Sequence, residues 1–174
     1  MMVSRRPTSW LGGLGSWLRH WWSTRQPEVD RAAGLRQLAA VLEEAVQAQP
    51  AADDVVADCG RPGDVAGEVA KRGARLLVEF VRLSHEVSQV RVAEVDRPLA
   101  LKAARQIAFH RWMLREALHL AFLANPGQRS ASMRRRLAGL GPTAAGLRQL
   151  RAEVAGLLSE LESTSARCTR QGRW

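Results

Sequence analysis

Tyrosine is absent from the 174-residue chain, cysteine occurs twice, and aromatic residues make up 5%. Cys59 and Cys168 are far apart, which excludes a cystine scaffold; neither has a Cys-x-x-Cys companion, so the spacing indicates no zinc knuckle or redox pair and leaves a pairing in space open. Lysine is nearly missing too: Lys71 and Lys102 are the only two, so the basic charge is almost all arginine. No run of 18 uncharged apolar residues occurs, which argues against a membrane-spanning helix. Gly12-Gly13-Leu14-Gly15 lacks both a preceding strand and a following Lys-Ser/Thr, so it is no phosphate-binding loop.

What is present is apolar residue at 46% and an excess of base, 26 Lys and Arg against 17 Asp and Glu, for a net charge of +9. That apolar fraction is too high for a wholly disordered chain, and the length suits one compact domain. Arginine and alanine richness is also what a GC-rich coding genome produces, so the charge is informative mainly through its distribution. Residues 1–25 carry +4 and no acid, 26–64 carry −5, 65–125 carry +4, and 126–174 carry +6. An acidic segment thus lies between basic regions, and the ends are the parts suited to an anionic partner.

Apolar spacing is helical throughout. Trp10, Leu11, Leu14, Trp17, Leu18, Trp21 and Trp22 fall on one helical face about a third of the circumference wide, with Arg19 largely off it. Three glycines weaken this segment by roughly 1 kcal/mol each relative to alanine, so it needs a surface on which to form. A second helix is expected over 27–49, with Pro27 in its first turn. The stretch 49–64, which holds Pro50 and the Arg61-Pro62-Gly63 turn, reads as a loop. Asp64 then caps a long helix from 65 to about 95, on the face Ala66, Val69, Gly73, Leu76, Phe80, Leu83, Val87, Val90. Asp96 and Pro98 mark a restart, followed by the most apolar helix over 98–124. A short helix at 130–140 and a longer one at 143–163 finish the chain. The expected fold is an all-α antiparallel bundle of about four main helices with an amphipathic Trp-rich N-terminal helix. Its units are an N-terminal segment 1–26, a bundle 27–163 and a basic flexible tail 164–174.

Four of the six tryptophans lie between positions 10 and 22, beside Arg19. Tryptophan favours places where one ring edge is wet and the other apolar, and arginine meets anionic headgroups, so an in-plane membrane helix is one reading. The acid-free, arginine- and serine-bearing leader also fits a mitochondrial or plastid presequence in a eukaryotic source. The plainest reading is a face that docks on protein, within the chain or on a partner. A secretory signal fits less well, because glycines, Arg19 and His20 interrupt the apolar stretch.

Residues 132–150 superficially look like a helix-turn-helix. Arg134, Arg135 and Arg136 would touch phosphates, while Thr143 caps a second helix that carries Arg148 and Gln149. Ala144, Ala145 and Gly146 give that helix few side chains with which to read bases, and such a turn joins helices in any bundle. No catalytic constellation is visible. Glu116 and His119 spell Glu-x-x-His, but a di-metal bundle needs a second such pair, and none exists. The expectation is a non-enzymatic adaptor or structural subunit without cofactor or metal. It would dock through its N-terminal segment onto a protein partner, a second copy or an anionic membrane surface. The alternative is a small DNA-binding regulator using 132–150. The expected location is cytoplasmic with membrane association, or an organelle if the leader is a presequence.

Overall fold

The computed structural model describes residues 12–61, 63–123 and 145–171, with side chains from Arg31 onward except at Leu123 and beyond Cys168. Among the described residues the chain is all helical, with four helices and no strand. Helix α1 runs Gly12–Gly60, α2 Gly67–Gln89, α3 Arg97–Leu123 and α4 Gly146–Gln171. A single turn of 3-10 helix, Glu94–Asp96, joins α2 to α3.

Cross-helix contacts fix the directions. Asp58 pairs with Arg72 and Glu44 with Arg82, so α2 runs antiparallel to α1. Glu43 pairs with Arg151 and Arg36 with Glu162, so α4 is antiparallel to α1 as well. Phe80 stacks on His110 while Gly73 faces Leu118, which makes α2 and α3 antiparallel. The result is an up-down-up-down helical bundle in which α1 touches all three other helices.

The interior follows the apolar spacing. Helix α2 buries Gly73, Leu76, Phe80, Leu83 and Val87, the alternating three-and-four face read from sequence. Helix α4 buries Leu147, Leu150 and Val154, while Leu157 and Leu161 are half-buried. Glycine at 73 is required by close approach. A Cβ there would lie 2.7 Å from Leu118 Cδ2 and 3.1 Å from Val55 Cγ1, so α1, α2 and α3 meet where a side chain is missing.

Five expectations are corrected. The break expected at Pro27 and the loop expected over 49–64 are both helical as far as Gly60, within one α1. Pro50 sits on the exposed side, where water can take the carbonyl one turn earlier, and Ala52, Val55 and Cys59 continue the buried seam beyond it. Asp64 does not cap α2. The N-cap is Ala66, in extended conformation, without a side-chain hydrogen bond. Helix α2 ends at Gln89 rather than near 95. Val90 is extended, as is Ala93, and β-branched Val90 and Val92 gain nothing from helical continuation. Finally, α4 runs on to Gln171, past the expected end at 163. There Ser163 Oγ, Thr164 Oγ1 and Arg167 Nε donate to the carbonyls of Ser159, Glu160 and Ser163 one turn earlier.

Candidate functional site

Heptad counting along the unbroken α1 defines the first candidate. Stepping back by sevens from the buried Leu35, Leu38 and Leu42 reaches Glu28, Arg31 and Leu35, then Trp21, Thr24 and Glu28, then Leu14, Trp17 and Trp21. The Trp-rich segment is therefore in register with the core seam, separated from it by the polar trio Thr24, Glu28 and Arg31. Leu18, Trp22 and Arg19 share that N-terminal third of α1, whose residues 12–30 span roughly 30 Å at helical rise. Trp10 and Leu11 lie outside the described residues.

Arg31 marks where the bundle closes. Its Nε and Nη2 donate to Asp96 Oδ2 at 2.7 Å and Oδ1 at 2.8 Å, a two-pronged pair with Asp96 only 3% exposed. The hydrogen bonds to Asp96 raise the guanidinium pKa further, against the opposing effect of desolvation. One turn on, Gly34 lets the connecting segment approach α1, since a Cβ there would collide with the Arg91 carbonyl. Asp96, read from sequence only as a restart signal, thus ties the α2–α3 connection onto α1.

A second candidate lies mid-bundle. His110 is fully buried on α3, stacked on Phe80 with ring centroids 5.7 Å apart and edge-on to Phe109 at 5.8 Å. Neither ring nitrogen has a hydrogen-bond partner. From α1, buried Gln49 Nε2 reaches Asp53 Oδ2 at 3.5 Å. On α3, Gln106 lies one turn before His110, and its side chain lies against Gly146 at the start of α4. Burial pushes the His110 pKa down, with Asp53 pulling the other way. Burial also pushes the Asp53 carboxyl up, opposed by His110, Gln49 and Arg148 and reinforced by Asp54. General acid or base catalysis requires a nitrogen within hydrogen-bond reach of a substrate. An imidazole with no exposed surface serves instead as a polar inclusion in the core. Sequence reading passed over this group, although His110 falls on the same three-and-four register as Ala103, Ile107 and Leu114.

The other sequence-derived sites disperse. Arg134, Arg135, Arg136 and Thr143 lie outside the described residues, and Arg148 and Gln149 are exposed in the first turn of α4. Glu116 lies 3.5 Å from Arg115, and His119 is exposed. Among the described residues no three His, Cys, Asp or Glu side chains gather as a metal site would need, and no helix is long and apolar enough to cross a membrane.

Among the described residues the fold is an all-helical bundle of four helices, one of them the 49-residue α1. Comparison with protein-family models, with curated proteins and with solved structures finds no match to this chain.

Proposed function

We propose that this protein is a non-enzymatic helical adaptor or structural subunit that docks through its Trp-rich N-terminal segment onto a membrane surface or a larger protein assembly. The observation that carries the reading is the continuity of α1. A helix whose later part is the spine of the bundle bears Leu14, Trp17 and Trp21 in the same heptad register, beyond the Arg31–Asp96 closure. A seam of this kind is suited to a partner helix, a groove or a lipid interface, because all three bury an apolar stripe at helical spacing. The surplus of arginine over acid in residues 1–25 favours an anionic counterpart.

The test compares the intact protein with Trp17→Ala/Trp21→Ala and with a chain lacking residues 1–25, in vesicle co-sedimentation and in affinity capture. The reading predicts that binding in at least one of these assays is lost in both variants while the bundle stays helical by circular dichroism. Binding that survives both changes contradicts it. DNA binding at low salt that also survives them would favour residues 132–150 as the working surface.

A further inference from the structure

The stretch that joins α2 to α3 is pressed against α1. Gly34 permits this, because a Cβ there would collide with the Arg91 carbonyl, and the Arg31–Asp96 pair fastens the far end of the same connection. Beside that contact lies an open groove of about 660 Å³, within the size range of small-molecule sites. Its lining comes from Arg31, Gly34 and Gln37 of α1, Gln89 at the end of α2, and the connection from Arg91 to Ala93. The polar part of that lining is two guanidinium groups and two carboxamides, with no carboxylate. Arg31 commits Nε and Nη2 to Asp96, and Glu160 of α4 also acts on its charge. Gln37, Gln89 and Arg91 are exposed, and their side chains make no hydrogen bond or ion pair among the described residues. The next hollow along α1 is different. It shares Gln37 and Gln89 but measures about 360 Å³ and holds the carboxylates of Glu44 and Glu86, both engaged by Arg82.

We infer that the groove beside Gly34 is a binding site for a small polar molecule bearing an oxyanion, a carboxylate or a phosphate. The Arg91 guanidinium takes the charged group, and the Gln37 and Gln89 amides hydrogen-bond to the rest of the molecule. A guanidinium presents parallel N–H donors that match two oxygens of either group. A carboxamide both donates and accepts, so a pair of them suits hydroxyl and carbonyl groups next to the anion. Charge separates this arginine from its neighbours. Arg36, Arg82, Arg97 and Arg151 each hold a glutamate, whereas Arg91 lines an acid-free hollow and holds no acid among the described residues. The walls are set by the close packing at Gly34 and by the two-pronged Arg31–Asp96 contact, so the donors sit on a framework held by the bundle itself. The inference does not rest on the role of residues 1–25.

The test is an NMR titration of the full chain that follows the side-chain amide signals of Gln37 and Gln89 and the Nε–H signal of Arg91. The probes are sodium phosphate and sodium succinate, with sodium chloride at matched ionic strength as the control for screening. Saturable shifts of these three groups are expected with phosphate, with succinate or with both, and not with chloride. The tighter of the two anions identifies the group that the site takes. A hydrogen bond to a charged group is worth about tenfold or more in affinity, so Arg91→Gln should raise the dissociation constant by at least that factor. Gln37→Leu/Gln89→Leu keeps the charge and should weaken binding by a smaller factor, roughly threefold to tenfold. Arg105→Gln removes an exposed cation of α3 that does not line the groove, and should bind as the natural protein does. All four substituted side chains are exposed, so helicity and unfolding midpoint should be retained. The inference is overturned if neither anion gives saturable shifts, if chloride reproduces them, or if Arg91→Gln binds as tightly as the natural sequence. Equal losses in Arg105→Gln and Arg91→Gln also overturn it, since the effect would then be one of net charge.

Discussion

Two polar residues interrupt the buried seam of α1, and the bundle treats them differently. Arg31, at the end of the seam, meets Asp96 through two hydrogen bonds of 2.7 and 2.8 Å, so a buried carboxylate has both oxygens engaged. Gln49, in the middle, reaches Asp53, whose charge acts on the buried His110, and the two ring nitrogens of that histidine have no hydrogen-bond partner. The first arrangement resists disruption from either side, because removing one member strands the other. The buried His110 ring already carries the cost of two unsatisfied nitrogens, so replacing it by an apolar group of similar shape loses little. A saturated polar contact ties the α2–α3 connection to α1 at one end, while in the middle burial holds the pKa of the His110 imidazole down.

The largest expected effect is therefore at the closure. Arg31→Ala should cost about 3–5 kcal/mol by leaving Asp96 buried and unpaired, read as a lower midpoint in urea at unchanged slope. A loss within the range of ordinary surface changes would mean that the pair is not what closes the bundle. Next comes Gly34→Ala, which drives a methyl group into the Arg91 carbonyl beside the closure. We expect about 1–3 kcal/mol of destabilisation, against the ordinary gain from alanine in a helix. His110→Leu is expected to have the smallest effect at neutral pH, with stability changed by less than about 1.5 kcal/mol in either direction.

The contrast sharpens with acid. His110 has its folded pKa below the ordinary 6.5, so the folded chain binds fewer protons than the unfolded one. Its contribution is intact above 6.5 and is lost as pH falls below that value toward the depressed folded one. Asp53 acts in the opposite sense and in a lower window. Its folded pKa lies above 3.8, so its contribution is present below 3.8 and is lost as pH rises through the raised value. Chemical denaturation across this range should show an acid-side loss beginning near 6.5 in the natural protein and flattened there in His110→Leu. An unchanged acid limb in the variant would remove His110 as its source.

Much of the bundle was legible from spacing alone. The face of α2 from Gly73 to Val87 and that of α4 from Leu147 to Val154 are large apolar residues at strict three-and-four steps, and they are buried. The stretch of α1 from 49 to 60, expected as part of a loop, was misread because its seam is built from small residues. Ala52, Val55 and Cys59 carry weak hydrophobic weight, and Pro50 with the Asp53-Asp54 pair looks like a turn. What decides is tertiary: small side chains let α1 lie close to three neighbours, and the proline faces outward. The Arg31–Asp96 pair and the influence of Asp53 on His110 were invisible because the residues lie on different elements, and spacing within one helix says nothing about contacts across the bundle. The N-terminal register was half legible. The Trp face could be seen, but its alignment with the core seam required an α1 without a break.

The most direct measurement is hydrogen–deuterium exchange along α1, alone and with phosphatidylserine vesicles or with a captured partner assembly. Residues 31–60 should be protected in every case, since they are the spine of the core. If the N-terminal segment is the docking element, amides in 12–26 should become markedly more protected when the binding surface is added, and Trp17→Ala/Trp21→Ala should abolish that gain. Identical exchange over 12–26 with and without the surface, under conditions where binding is demonstrated, would contradict the account.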